Sequence, residues 1–331
     1  MKNVLVTGGA GYIGSHAVQA LIAGGYAVTV IDNLSKGHRQ AVHPQAKFIE
    51  LDLADQKGLE QVFSDGSFDA VMHFAGSIEV ALSMREPAQF FQNNCVNGVD
   101  LLEAMRKAGV KNIIFSSTAA VYGNPKKVPI KETALLKPTN FYGQSKLIFE
   151  QLLQQYEQMF GFRFVALRYF NAAGAASSGQ IGQDYEPSTH LIPRVLKAAL
   201  GQITDLKVFG NDYPTQDGTC IRDYIHVTDL VDAHVLALEY LFKKKRSSVF
   251  NLGNGQGFSV LHVLHLAQKM TGRKIPYRFG ERRQGDPAVL VADSSKAKKI
   301  LTWQPRLYRL EDIIKTAWQW HLNHPKGYAV R

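Results

Sequence analysis

An α/β fold built on a doubly wound parallel sheet, with a smaller mixed α/β substrate-binding domain beside it, is what the sequence predicts, on three observations. Short runs rich in valine and isoleucine alternate with helix-like stretches through the first half of the chain. Apolar strands separated by helices indicate βαβ units and a sheet buried on both faces. Small and polar residues follow each run, where the carboxyl ends of parallel strands gather and open α/β sheets bind ligands. A glycine-rich turn lies between the first run and the first helix.

In chain order, strands are expected at Val4–Val6, Ala27–Ile31, Lys47–Leu51, Ala70–Phe74, Asn112–Phe115 and Phe164–Leu167. Helices are expected between several of them, at Ser15–Ala23, Pro87–Ala108 and Tyr142–Phe160. The residues that follow the strands are Thr7-Gly8-Gly9, Asp32-Asn33, Asp52, Ala75-Gly76, Ser116-Ser117-Thr118 and Phe170-Asn171. Past Asn171 the character changes. Gly174–Thr189 is rich in Gly, Ser and Ala and reads as a long loop. Helical patterns follow at Leu191–Leu200, Thr228–Phe242, Val260–Gly272 and Leu310–His321, with a turn-rich segment at Gly210–Gly218. Residues 1–171 are therefore read as the sheet domain, with segments around 219–255 returning to it. Residues 172–331 are read mainly as the second domain.

Composition narrows the class. The 331 residues suffice for roughly two domains at about 150 each, and 45% hydrophobic content excludes a disordered chain. Cys95 and Cys220 cannot build a disulfide framework and form no metal-ligand pair, so a reducing compartment and no metal are expected. From Asn3 to Ile31 no charged side chain occurs, but glycines, Ser15, His16 and Gln19 interrupt the stretch. A span needs about twenty mostly apolar residues, and an export signal a continuous apolar core. The expectation is a cytoplasmic protein without a membrane partner. The net charge of +10 comes from scattered basic residues apart from Lys243–Arg246, which reads as a solvated loop, so nucleic acid is not an expected partner.

The chemistry is read from two motifs. Gly9-Ala10-Gly11-Tyr12-Ile13-Gly14 fits G-x-G-x-x-G, and Gly8, Gly11 and Gly14 also fit G-x-x-G-x-x-G. Between a strand and a helix, such a turn lets a pyrophosphate approach the backbone at a helix N-terminus. Asp32 closes the second strand, where a carboxylate accepts from a ribose 2′-hydroxyl and repels a 2′-phosphate; NAD is expected rather than NADP. Asp52 with Leu53 reads as the adenine side. Tyr142-Gly143-Gln144-Ser145-Lys146 is Y-x-x-x-K, whose i, i+4 spacing stacks both side chains on one helix face. Bringing a phenol from a pKa near 10 to about 7 takes roughly 4 kcal/mol. The Lys146 ammonium and a positive nicotinamide are the expected sources. Thr118 adds a hydroxyl, and the three together imply oxidation of a secondary alcohol beside a hydride acceptor.

These residues are recognisable together. Thr7–His16, Ser116–Gly123 and Tyr142–Lys146 resemble the extended short-chain dehydrogenase/reductase superfamily, with its Rossmann sheet. Arg168–Asn171, Gly210–Thr215, Arg222–Val227 and Arg282–Asp286 resemble its UDP-glucose 4-epimerase family, and the similarity runs from Lys2 to about Tyr328. The resemblance implies an isomerase that holds NAD tightly and regenerates it each cycle. Tyr142 would take the proton of the sugar 4-hydroxyl while the 4-hydride passes to NAD. The 4-keto sugar would then turn over and take the hydride back on its other face, interconverting UDP-galactose and UDP-glucose with no net redox change.

By matching motifs, the cofactor set would be Gly8, Gly11, Tyr12, Ile13, Gly14, Asp32, Asn33, Asp52, Leu53, Phe74, Ala75, Asn93, Ser116, Tyr142, Lys146 and Tyr169. The nucleotide-sugar set would be Thr118, Asn171, Leu191, Phe209, Arg222, Tyr224, Arg283 and Asp286. Arg222 and Arg283 suit a diphosphate because guanidinium offers a fork of donors. A homodimer is expected from the family alone. Ser77-Ile78 stand where many relatives carry a lysine that contacts the cofactor, and His190 where many have asparagine. Leu290, of intermediate size on the pocket wall, leaves UDP-N-acetylhexosamines and UDP-pentoses open as substrates. Ala119 and Ala120 replace the acidic pair that a 4,6-dehydratase needs. A non-catalytic nucleotide- or RNA-binding protein on the same scaffold would have little use for Thr118, Tyr142 and Lys146 together, and a simple alcohol dehydrogenase would release its cofactor each cycle.

Overall fold

The computed structural model describes residues 1–283 and 285–328. Gln284 of the Arg282–Asp286 segment and residues 329–331 of the expected second domain lie outside the described residues. The first part of the chain runs β1 (Asn3–Thr7), α1 (Tyr12–Ala23), β2 (Ala27–Asp32), β3 (Lys47–Glu50), α2 (Gln56–Asp65), β4 (Ala70–His73), α3 (Val80–Ser83), α4 (Pro87–Phe91) and α5 (Asn97–Lys107). Next come β5 (Asn112–Thr118), α6 (Phe141–Phe160), β6 (Arg163–Tyr169), β7 (Asn171–Ala173), α7 (Leu191–Ala199), β8 (Leu206–Phe209), β9 (Ile221–His226) and α8 (Val227–Lys244). The chain closes with β10 (Ser248–Leu252), β11 (Gly257–Ser259), α9 (Val260–Thr271), β12 (Tyr277–Gly280), β13 (Val289–Leu290), α10 (Ser295–Ile300) and α11 (Leu310–Asn323).

Seven strands form one sheet in the order β10-β6-β5-β4-β1-β2-β3, with every neighbouring pair parallel. The order reverses between β1 and β4, which opens a crevice at the strands' carboxyl ends. Alternate residues bury opposite faces. Val4, Val6, Ile114, Val165 and Leu167 pack with Val18 and Leu21 of α1 and Leu230 and Ala237 of α8. Leu5, Val71, Ile113, Phe115 and Ala166 pack with Leu59 of α2, Leu101 of α5 and Phe149 of α6. Beyond the crevice, β9 pairs with β7, β11 and β13, and β8 with β12. Ile192, Val195, Val208, Val263 and Ile313 form a separate core there.

Three details depart from the expected boundaries. β5 continues through Ser116-Ser117-Thr118, because all three residues pair with β6 at Leu167, Arg168 and Tyr169. The expected helix Pro87–Ala108 is interrupted by a π-helical turn at Gln92–Val96, a widening often found at functional sites. Lys243 and Lys244 close α8, where cations face a helix's negative end, rather than lying in a loop.

A buried polar network binds α6 to the sheet. Arg168 of β6 donates from Nε to Glu150 Oε1 at 3.0 Å and from Nη2 to Oε2 at 2.6 Å. Ser117 of β5 donates to the same carboxylate. Arg168 also donates to the Tyr122 hydroxyl at 3.0 Å, which donates to Asn251 Oδ1 of β10 at 2.6 Å. The side chains of Glu150 and Arg168 are only 2% and 5% exposed, so removing one partner strands a buried charge. Glu150→Ala is expected to cost about 3–5 kcal/mol in urea melts. Replacing both partners by apolar residues of similar volume should recover most of that loss.

Candidate active site

The turn after β1 is built for close approach. Gly8 has φ +73°, and a Cβ there would come 2.5 Å from Ala75 N at the end of β4. A Cβ on Gly14 would lie 2.1 Å from the Gly8 carbonyl oxygen, so helix and turn meet only through glycine. α1 begins at Tyr12 with no side-chain cap and no acidic residue in its first turn, which leaves its positive end for an anion. Asp32 is buried and accepts from Ala10 N and Leu34 N, each at 2.9 Å. Burial raises its pKa and the backbone donors oppose the rise. Asn33 donates from Nδ2 to Asp52 Oδ2 at 2.7 Å, joining the ends of β2 and β3, and Leu53 packs in the core beneath. This donor set and glycine cradle fit a dinucleotide whose pyrophosphate meets backbone and whose ribose meets a carboxylate.

Residues from three strand ends gather on the same edge of the sheet as the turn. Phe74 and Ala75 follow β4, Ser116 and Thr118 close β5, and Tyr169 closes β6. The hydroxyls of Ser116 and Tyr169 are hydrogen-bonded. Phe74 and Tyr169 both pack on His234 of α8, at 4.9 and 6.0 Å between ring centroids. Asn93 donates to Ser77 Oγ at 2.8 Å. Asn94 accepts from Ser77 N at 2.7 Å and donates to Ser145 Oγ at 3.0 Å. The π-helical turn thus ties the β4 loop to α6. Ser77 serves as the acceptor for Asn93.

Asn140 caps α6, its Oδ1 accepting from Gly143 N at 2.8 Å, and this sets Tyr142 and Lys146 one turn apart. Burial raises the Tyr142 phenol above its ordinary value, and interaction with the Thr118 hydroxyl offsets part of that rise. Among the protein's own groups burial dominates, so the net direction at Tyr142 is upward. Lys146 is 3% exposed and 5.0 Å from the Phe115 ring centroid. Burial brings its pKa down from 10.5 to about 8.

A second cluster lies on and beside the smaller sheets, joined to the first through Leu290. Asn171 and Tyr224 are paired across β7 and β9. Arg222 donates from Nη1 to the carbonyls of Ile221 and Pro287 at 2.9 and 2.8 Å, and its Nη2 lies 3.4 Å from Asp286 Oδ1. Arg283 lies 4.1 Å from the Phe209 ring centroid. Leu191 opens α7. Just before it, His190 Nδ1 is bonded to Gln183 Nε2 at 2.6 Å and the Tyr185 hydroxyl at 3.0 Å. Burial, then the Arg283 charge, lowers the His190 pKa to about 4, so it stays neutral. Leu290 pairs with Arg222 across β13 and β9 and packs against Ala119, Tyr122 and Phe170. Among the described residues no group of three or more His, Cys, Asp or Glu could hold a metal ion. No helix among them is long and apolar enough to cross a membrane.

Asn94, His234 and the Glu150–Arg168 pairing escaped sequence reasoning, as did the contacts of Ser77. The helix-breaking π turn leaves no local signal, and the other contacts join residues distant in the chain.

A dinucleotide turn, a Tyr-Lys pair and a basic cluster on the second core define a nucleotide-dependent enzyme of the short-chain dehydrogenase/reductase type. Residues 4–253 match the model of the NAD dependent epimerase/dehydratase family, and the chain belongs to that family. It is 52% identical over 328 residues to the UDP-glucose 4-epimerase of Lacticaseibacillus casei, covering 99% of each chain. The UDP-glucose 4-epimerase of Brucella ovis, solved in complex with NAD, superposes with a TM-score of 0.94 at 45% identity over 100% of both chains. That of Bifidobacterium longum, solved with NAD+ and UDP, gives 0.94 at 39% identity over 99% of this chain and 100% of that one.

The charge state of Lys146 carries a stability consequence. Its folded pKa, about 8, lies below the unfolded value of 10.5, so cationic Lys146 opposes folding by about 3 kcal/mol below pH 8. That penalty fades as pH rises from 8 to 10.5. With bound nucleotide stripped, Lys146→Met should melt higher than the parent at pH 7, and the gap should close by pH 10.

Proposed function

We propose that the protein interconverts UDP-galactose and UDP-glucose by reversible 4-epimerisation around a retained NAD. The observation that carries this reading is that Tyr142, one turn before buried Lys146 on α6, interacts with the Thr118 hydroxyl at the carboxyl end of β5, the edge of the sheet on which the glycine turn after β1 also lies. NAD, when bound, supplies the hydride acceptor and donor. Tyr142 takes the proton of the sugar 4-hydroxyl and returns it, with Thr118 bonded to the same oxygen. Lys146, buried and cationic below about pH 8, favours the ionised phenol and lowers the cost of that transfer. Arg222 and Arg283 hold the diphosphate, Asp286 takes a ribose or sugar hydroxyl, and Phe209, Leu191, Asn171 and Tyr224 line the nucleotide-sugar side. Tyr12, Ile13, Asp32, Asn33, Asp52, Leu53, Phe74, Ala75, Asn93, Ser116 and Tyr169 hold the cofactor. Anchoring the nucleotide while leaving the sugar apolar walls such as Leu290 lets the keto sugar turn without leaving.

The division of labour follows the two cores. Residues 1–171 and the segments around 219–255 hold NAD, and residues from 172 onward mainly hold the UDP-sugar. The pairing of β10 with β6 and the packing of α8 on the large sheet support this division. Purified protein given UDP-galactose without added NAD is expected to form UDP-glucose. Tyr142→Phe should keep its nicotinamide and lose about 10²–10⁴ in turnover. Parental turnover in that variant would remove Tyr142 from its role.

The protein is further proposed to act in the cytoplasm, where free, buried Cys95 and Cys220 stay reduced, and as a homodimer. Phe141, Ile148, Leu152 and Met159 fall on one stripe of α6, with Phe141 and Met159 exposed, and Phe91 and Val96 are exposed on the adjoining turns. Ile148→Arg should sediment as a monomer; an unchanged dimer would place the contact elsewhere.

A further inference from the structure

Residues 174–189, between β7 and α7, lie outside the regular elements yet are fastened by side chains from distant parts of the chain. Tyr12, the first residue of α1, donates from its hydroxyl to Gly174 O at 2.7 Å. His38 donates from Nε2 to Asp184 O at 3.0 Å and lies 3.4 Å from Asp184 Oδ2. Lys36 donates to Glu186 O at 2.9 Å and reaches Glu79 Oε1, beyond β4, at 3.4 Å. These anchors belong to the rim of the dinucleotide crevice. Tyr12 opens the helix that follows the glycine turn. His38 N donates to Ala10 O in that turn at 3.0 Å, and a Cβ on Gly37 would meet Ala10 and Asp32. The segment is thereby tied to the ends of β1 and β2 and, through Lys36, to the loop after β4.

Its other side is held by the end of the chain. Tyr328 N donates to Asp184 Oδ2 at 2.9 Å. The Tyr328 hydroxyl accepts from Gly182 N at 3.0 Å and donates to Gly182 O at 3.3 Å. Between centroids, its ring lies 4.9 Å from His38 and 5.6 Å from Trp320 of α11. Ala41, Ala175, Trp320 and Tyr328 form a small buried core of their own. A Cβ on Gly182 would overlap the Trp320 ring, and one on Gly327 the Asp184 carboxylate. Loop, α11 and chain end therefore meet without slack, and Tyr328 touches both the loop and the segment after β2.

We propose that Tyr328 is a positioning residue for cofactor retention: it holds residues 174–189 closed as a strap over the dinucleotide crevice, and NAD enters and leaves only when the strap opens. The proposal rests on the reading of a retained NAD and goes beyond it by naming what retains the cofactor. Every bond named above joins two protein groups. Closure therefore does not depend on the ligand, and the strap slows entry as well as exit. That separates it from a direct contact to NAD, whose loss would speed release alone. One residue suffices as the pin, because its hydroxyl, ring and backbone N–H fix Gly182, His38 and Asp184 together.

The test follows labelled NAD out of and into the protein. Enzyme loaded with radiolabelled NAD is chased with excess unlabelled NAD, and nucleotide-stripped protein is mixed with the label. Tyr328→Ala should release NAD about tenfold faster, the size of the hydrogen bonds lost at Gly182. It should also bind NAD faster by a similar factor, leaving Kd within about threefold, since a closure equally favourable with and without ligand does not alter affinity. Tyr328→Phe keeps the ring against His38 and loses only the hydroxyl, so both rates should rise by about threefold. That conservative variant decides the matter if Tyr328→Ala does not fold. Release at the parental rate in Tyr328→Phe would overturn the proposal. So would faster release without faster binding, which marks a lost contact rather than an opened strap. A parent enzyme that carries no nicotinamide after purification would overturn the retained NAD as well, which separates the two failures.

Discussion

The carboxylate of Glu150, held by Arg168 and Ser117, sets where the reacting groups stand. Ser117 sits between Ser116 and Thr118 on β5, and Arg168 immediately precedes Tyr169 on β6. Side chains alternate along a strand, so Ser117 and Arg168 turn towards α6 while Ser116, Thr118 and Tyr169 are presented the other way. A register slip of one residue in either strand would exchange the lock with the site. On α6, Tyr142, Lys146 and Glu150 recur at four-residue spacing, so the helix that carries the proposed proton-transfer pair is fixed two turns beyond Tyr142. Through Tyr122 and Asn251 the same network reaches β10, and Asn251 Nδ2 donates to Ile130 O at 2.8 Å. Ile130 in turn bonds to Val291 and Asp293, next to the Leu290 wall. Cofactor side and sugar side are thus referred to one buried ion pair.

Such a lock does not have to be strongly stabilising to matter. Two charges taken from water lose most of what they gain from each other, and specificity of packing is a recognised use of such pairs. Here the groups needing definition are themselves costly. Lys146 is cationic in a buried place, and Tyr142 and Tyr169 are buried phenols whose pKa values burial raises. His73, bonded to Thr7 at 2.7 Å, is kept neutral with its pKa near 3 by burial first and by Lys146 second. With His73 neutral, Lys146 carries the positive charge one helical turn from Tyr142, where the proposed chemistry asks for ionisation of a phenol to be favoured.

Much of this was legible in the sequence where function depends on local spacing. Gly8, Gly11 and Gly14, Asp32 at the end of the second strand, and the Tyr142–Lys146 pair each declare themselves within a few residues. The apolar runs also located six strands of the large sheet. What spacing could not carry are contacts made across the chain. Asn94 meets Ser77 seventeen residues away, Glu150 meets Ser117 thirty-three away, and Arg282 meets Asp212 seventy away. The π turn was illegible for a related reason. Gln92–Val96 is helical by composition, and the extra residue per turn is imposed by Asn93 and Asn94 reaching the β4 loop.

The two halves of the crevice differ in how much they are built before a ligand arrives. On the dinucleotide side, Asp32 is bonded by two amides and Asn33 by Asp52, and the glycine turn is locked by contacts that admit no Cβ. Little has to move, which suits a cofactor that is kept. On the side proposed to take the nucleotide sugar, the basic cluster is held by internal contacts: Arg222 by Asp286, Arg282 by Asp212, Arg283 by the Phe209 face. Those are exchangeable contacts, with carboxylates standing where phosphate oxygens would be welcome. An enzyme that must keep one ligand and release another gains from that difference. Rigid donors lower the entropy lost on binding NAD, and the internal ion pairs charge each UDP-sugar a competition that allows it to leave.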